Sequence, residues 1–273
     1  MTSASRLVLT LLGTGSSGGV PRVGNAWGDC DPAEPRNRRR RCAALVERIR
    51  PDGARTTVLI DAGADLREQL LGAEVSDLDA VLLTHPHADH VFGLDDLRQL
   101  VMQLRRGIDV HMDRNTSETV MRSFGYAFRR APGSSYPPFC TERRVRPPEP
   151  VVVDGPGGEL RLEPIVAEHG DIHALGFRVG GVAYLPDAKR VTDAPSLERL
   201  EGLDALVIDA LRRRPHPSHM HLDETLAFVE RFRPARAVLT DMHSDLDYRT
   251  LLAELPEGVE PGFDGLRIEL AAG

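Results

Sequence analysis

Cysteine is scarce in this chain. Its 273 residues hold three, Cys30, Cys42 and Cys140, widely spaced. Disulfide-stapled scaffolds carry more of them and closer together, so a reducing, cytoplasmic setting is expected. Long hydrophobic runs are also missing. No stretch approaches the ~20 apolar residues of a membrane span, and the stretch from Leu7 to Leu12 is too short for the core of an export signal. Nor is there an excess of positive charge: 34 Lys+Arg stand against 41 Asp+Glu, a net charge of -7. That speaks weakly against a broad nucleic-acid surface but leaves room for a local basic groove. What remains, 41% hydrophobic content over 273 residues, suffices for a sizeable core. It is read as one domain spanning 1–273.

The most informative feature present is the run Leu82-Leu83-Thr84-His85-Pro86-His87-Ala88-Asp89-His90. His85, His87, Asp89 and His90 are four metal-ligand types in close succession. Burying them is costly unless each is paired, kept wet or bound to a cation. Imidazole and carboxylate suit zinc, manganese or iron, and two adjacent ions can share a hydroxide that is nucleophilic near neutral pH. The competing reading, a histidine-rich surface turn, fits poorly with a cluster that follows a buried apolar run.

Strands are expected at Leu7 to Leu12, Ala43 to Ile49, Thr56 to Ile60, Asp79 to Thr84, Leu160 to Val166, Leu175 to Val179, Val182 to Leu185, Leu203 to Ile208, Arg236 to Thr240 and Leu266 to Leu270. Helices are expected at Asp65 to Leu71, Leu94 to Arg105, Leu222 to Phe232 and Tyr248 to Leu255. Residues 126–150, with six prolines, read as a long loop or lid. Strands in groups with helices between them predict two sheets with helices outside, and a weak two-half symmetry. A dinuclear site needs further ligands. His169, Asp187 and the pair Asp241 and His243 all follow strands, where loops build sites on a rigid scaffold.

The His-x-His-x-Asp-His motif formed by His85, His87, Asp89 and His90 resembles the signature of the metallo-β-lactamase fold hydrolases, and the resemblance runs from Leu7 to Leu270. It implies an α+β fold, a four-layer αββα sandwich with two divalent metal ions (Zn or Mn) at one edge. The implied allocation is His85, His87 and His169 on one ion, and Asp89, His90 and the last ligand on the other. Asp187 would bridge, and Asp89 would also serve catalysis. Four further segments resemble the phosphoribosyl cyclic phosphodiesterases of phosphonate breakdown: Leu12-Gly13-Thr14-Gly15 with Gly19-Val20-Pro21, Arg38-Arg39 with Cys42, His219 before Leu222, and Gly262-Phe263-Asp264-Gly265.

Two departures stand out. In those phosphodiesterases the last metal histidine directly follows Leu-Thr; here Leu239-Thr240 leads to Asp241, and the histidine is His243. Residues two apart on an extended segment share a face, so either could reach the metal, and His243 is favoured. The family's structural zinc site uses three cysteines and a histidine. Only Cys30 remains here, with Ser244 at the histidine position, so no structural zinc is expected and other contacts must hold the loop at 24–41.

His219 is expected to donate a proton to the leaving oxygen or to clamp a phosphate. His221 is a second choice, and His216, His111 and His173 read as ordinary. Most of Arg36 and Arg38 to Arg41 are expected to be solvated or paired with carboxylates, with one or two free to grip a phosphate. The glycine-rich loop 13–19 lacks a P-loop ending and reads as a tight turn closing the metal edge.

The function expected is a metal-dependent phosphodiesterase acting on a small phosphorylated substrate, such as a cyclic nucleotide or sugar phosphodiester. One alternative is a ribonuclease Z-like nuclease, which would want a long basic arm. Another is a non-catalytic small-molecule carrier on the same fold, against which the intact motif argues. A homodimer is compatible with the sequence; nucleic-acid and membrane partners are not expected.

Overall fold

A computed structural model describes residues 5–130 and 132–272. Two seven-stranded sheets face each other. One has the order β14 (Arg267–Ala271), β1 (Arg6–Gly13), β2 (Ala43–Ile49), β3 (Arg55–Ile60), β4 (Ala80–Leu82), β5 (Ile108–Met112), β6 (Cys140–Arg144). The other runs β13 (Val259–Pro261), β12 (Arg236–Thr240), β11 (Ala205–Asp209), β10 (Val182–Leu185), β9 (Ile172–Val179), β8 (Leu160–His169), β7 (Val151–Val153). Counted from β14 and from β7, each sheet passes through antiparallel pairs and then parallel ones. The expected two-half symmetry is present in this pairing order.

Side-chain alternation builds the layers. Leu7, Leu9, Leu11, Val46, Val58 and Ile60 point between the sheets, where they meet Leu162, Phe177, Tyr184, Val207 and Val238. Their neighbours Leu45, Leu59 and Val81 point outward, onto α1 (Leu66–Gly72), α3 (Leu97–Leu104) and α4 (Arg114–Phe128). On the other side Leu185, Leu206, Ile208 and Leu239 pack under α6 (Leu222–Phe232) and α7 (Tyr248–Glu254). The result is an αββα sandwich. Strands covered on both faces read as near-continuous apolar runs, which is why the central ones were legible in the sequence.

The stretch 126–150 departs from expectation. β6 lies inside it and pairs in parallel with β5, so Cys140–Arg144 is a sheet edge, while 132–139 is irregular as expected of a loop. Its polar sequence, Cys-Thr-Glu-Arg-Arg, suits an edge strand with one wet face. β5, α4, β7 and β13 were also not anticipated. α4 has few apolar positions and a Gly at 125, and a non-helical Phe124 kinks it, so its period is weak. Its start is set by Asp113, whose carboxylate accepts from the Thr116 N–H. All three cysteines are buried and unpaired. Among the described residues no helix is long and apolar enough to cross a membrane.

Candidate metal centre

Strands of both sheets end at one edge of the sandwich, and the candidate residues hang from those ends. β4 leads into Thr84 and His85, and the short helix α2 (Ala88–Val91) carries Asp89 and His90. β8 ends on His169 and β11 on Asp209, β10 leads to Asp187, and β12 leads to Asp241. Gly63 lets the chain after β3 press against α2: a Cβ there would sit 1.8 Å from the Asp89 carbonyl oxygen.

Three imidazole nitrogens converge. His85 Nε2 lies 2.9 Å from His87 Nδ1, which lies 3.2 Å from His169 Nε2. Outer hydrogen bonds fix which nitrogens carry protons. His169 Nδ1 faces the Ser218 carbonyl at 2.9 Å, so it must donate. Thr84 Oγ1 donates to Asp61 at 2.9 Å, so it accepts from His85 Nδ1, also at 2.9 Å. Both Nε2 atoms are therefore bare lone pairs aimed at His87. Backing of this kind is what orients metal-bound histidines.

A second set lies alongside. His90 Nδ1 is 2.7 Å from Asp61 Oδ2, which turns Nε2 toward Asp89 Oδ2 at 3.4 Å and Asp187 Oδ2 at 3.3 Å. Asp187 Oδ1 is 4.0 Å from the Nε2 atoms of both His85 and His169. Asp187 thus stands between the two sets. Its Oδ2 is buried and, like Asp241 Oδ2, makes no well-aligned hydrogen bond, only close approaches to imidazole nitrogens. His219 Nδ1 is 2.8 Å from Asp209 Oδ2 and 3.1 Å from Asp241 Oδ2. Its ring packs edge-on to His169, with centroids 4.5 Å apart.

The electrostatics call for positive charge. Burial and neighbouring imidazoles hold His85 well below its ordinary value, and burial is the main cause that takes His169 down to about 3. Burial raises Asp187 and Asp241, each helped by nearby carboxylates. Burial also opposes protonation of His219, but Asp209 and Asp241 outweigh it and push the ring up to about 12. His90 is raised likewise, against burial, by Asp187 and Asp61. Bare imidazole nitrogens, orphaned carboxylate oxygens and a local deficit of cations fit divalent transition metal, the role the sequence assigned to this cluster.

One preference is corrected. Asp241, 2% exposed, reaches this cluster from a left-handed backbone position (φ 58°). His243 does not join it. Its ring turns outward to Arg22 and lies 3.6 Å from Asp245. The left-handed turn at Asp241 breaks the extended geometry on which a shared face depended. The site-forming residues not anticipated are Asp61, Thr84 and Asp209. Asp209 ends a strand just as Asp187 and Asp241 follow theirs, so the same signal could have found it.

The loop 13–19 does close this edge: Gly15 bridges to both Arg41 and Met242. Around the cluster is a pocket of about 200 Å³ lined by residues including Ser17, His87, Asp89, His169, Asp187, His219 and Asp241. The loop at 24–41 is held by the buried Arg39. It donates to the carbonyl oxygens of Leu246 at 2.7 Å and His243 at 3.3 Å, and lies 3.9 Å from the Cys30 sulfur.

Comparison with known proteins agrees with this fold. A family model described as a β-lactamase superfamily domain matches residues 56–242. A diphosphatase from the PhnP family has a solved structure that is 34% identical, covers 97% of both chains and superposes with a TM-score of 0.84. Zinc-bound PqqB from Methylobacterium extorquens is 19% identical over 96% of this chain and all of its own, with a TM-score of 0.71, which shows the fold alone. An octanoyltransferase from Porphyromonas gingivalis is 35% identical over 261 residues, 94% of this chain. The chain spans only 50% of that protein's length.

Proposed function

The chain belongs to the β-lactamase superfamily, and from that premise we propose that it is a metal-dependent phosphodiesterase acting on small phosphorylated molecules. The observation that carries this reading is the convergence of two donor sets on one small pocket beside a carboxylate-backed histidine. His85, His87 and His169 would hold one divalent ion and Asp89, His90 and Asp241 a second, with Asp187 between them. Such ions supply an activated water near neutral pH and neutralise charge building up on a phosphate.

The protein's own residues supply the rest. Asp209 fixes Nδ1 of His219, so the ring presents Nε2, which makes no hydrogen bond to the described residues. Backed by Asp209, His219 can give a proton from Nε2 to the departing oxygen. Asp61 and Thr84 keep His85 and His90 in the tautomer that offers Nε2. The diphosphatase relative supports phosphorus chemistry. The octanoyltransferase name belongs to a protein twice as long, of which this chain spans half.

The test is hydrolysis of bis(p-nitrophenyl) phosphate, small cyclic nucleotides and precursor transfer RNA side by side, by protein loaded with zinc or manganese. Turnover of the small diesters is expected. Cleavage confined to the RNA would favour a nuclease instead, and fewer than one transition metal per purified chain would rule out a two-ion enzyme.

A further inference from the structure

The segment 212–221, between β11 and α6, carries His219. Much of it is loop: Arg213, Arg214, Pro215 and Pro217 are exposed. Asp209 fixes the His219 ring at Nδ1, but a ring is placed only as well as the backbone beneath it. That backbone is fastened next to the ring. Buried Met220 donates its N–H to the Ala188 carbonyl at 2.8 Å, and Leu211 donates to the Met220 carbonyl at 3.0 Å, which closes the neck of the loop.

A side-chain anchor stands beside that hydrogen bond. Lys189, the only lysine in the chain, directly follows Ala188. Its Nζ lies 2.7 Å from both carboxylate oxygens of Glu224, in the first turn of α6. Glu224 Oε2 also accepts the His221 N–H at 3.1 Å and lies 2.7 Å from His221 Nδ1. The Lys189 side chain is 15% exposed and that of Glu224 39%, so water screens this pair less than an open surface pair. Through its backbone Lys189 donates to the Glu168 carbonyl at 2.7 Å, one residue before His169. Lys189 therefore joins three segments: the turn after Asp187, the end of β8 that carries His169, and the start of α6 that follows His219. A helix cap alone would need Glu224 and not Lys189. An ion pair to a distant segment instead holds the loop against the metal edge.

We propose that Lys189 is a positioning residue for the proton donor. Through Glu224 it clamps the His219 loop to the turn that carries Asp187, and so keeps the donor ring at a fixed distance from the carboxylate between the two donor sets. A general acid works only within hydrogen-bond reach of the oxygen it protonates, and a misplacement of about 1 Å can cost on the order of 100-fold in rate. The catalytic consequence rests on the reading of His219 as proton donor in a phosphodiesterase; the clamp itself does not, and the test separates the two.

The experiment compares Lys189→Met and its rescue variant Lys189→Arg with the wild type, as full-length, metal-loaded protein with melting temperature and metal content checked. Two substrates are used. Bis(p-nitrophenyl) phosphate expels an aryloxide that departs without a proton, whereas a cyclic nucleotide expels a ribose alkoxide that needs one. In Lys189→Met, kcat for the cyclic nucleotide should fall about 10-fold further than kcat for the aryl diester. Lys189→Arg keeps the charge and can grip Glu224 with its fork, so it should recover most of that difference. A merely structural loss would lower both rates alike. Hydrogen exchange over the segment 210–221 reads the clamp without activity: the Met220 amide should exchange about 5–10-fold faster in Lys189→Met. Glu224→Gln should behave as Lys189→Met does, and it stands in for that variant should it not fold. Equal losses on the two substrates, no recovery in Lys189→Arg, or unchanged exchange would overturn the positioning role. Faster exchange in the variant of a protein whose wild type hydrolyses no such diester would defeat the phosphodiesterase reading and leave the clamp standing.

Discussion

At the residue scale, Asp241 and His243 show how one backbone angle decides which of two side chains faces the cluster. They are two positions apart, and an extended strand would aim both the same way. The left-handed φ at Asp241 separates them, sending the carboxylate inward and the imidazole out to Arg22. Asp241→Ala is expected to lower kcat/KM for bis(p-nitrophenyl) phosphate by about 100-fold or more and to reduce bound metal, because even the partners of metal ligands cost 10–100-fold when removed. His243→Gln should stay within about threefold on that substrate, since its ring meets none of the cluster. Metal content and steady-state rates of the two variants check this; equal losses in both would sink the assignment.

At the element scale, the start of α7 does double duty. Asp247 caps the helix by accepting from the Thr250 N–H at 2.9 Å, and it also receives the Asn37 amide at 2.6 Å and the Asp31 N–H at 3.1 Å. The helix is thereby tied to the loop at 24–41. Burial works to raise its pKa, but these donors win and take the carboxyl from 3.8 down to about 2. A lowered folded value means the ionised form stabilises the fold: the contribution is full above the unfolded value and disappears as pH falls toward 2. Asp247→Ala should cost about 1 kcal/mol at pH 7, as helix caps do. The gap from wild type should narrow between about pH 4 and 2. Denaturant unfolding of both proteins across that range checks the sign; a gap that widens in acid would contradict it.

At the scale of the whole molecule, the metal edge is a joint between two sheets. β4 supplies its residues from one sheet, and β8, β10, β11 and β12 supply theirs from the other. An ion bound there links both halves to one centre and binds only the folded chain. At a free metal concentration 100 times Kd, the linkage is worth about 2.7 kcal/mol. For a protein of this size that is a rise in Tm of about 5–10 °C. Calorimetry of chelator-treated protein before and after adding zinc or manganese should show it, and an unchanged Tm in both would argue against the centre.

Much of this was legible in the sequence because period and spacing are local properties. Alternating or continuous apolar runs gave the central strands, and the motif at 85–90 placed four candidate ligands and implied the fold. Elements with weak local signals escaped. The polar edge strand β6 reads from its surrounding prolines and arginines as part of a long loop or lid, and the kinked α4 has no clear apolar period. The sequence by itself determined which residue types lie at strand ends, since that follows from the order of hydrophobic runs and turns along the chain. Only the tertiary structure decided which of them meet. Asp209 comes to His219, Asp61 to His90 and Asp241 to the pocket through contacts between distant segments. Arg40 and Arg41 find Asp264 and Asp65 in the same way, across long stretches of sequence.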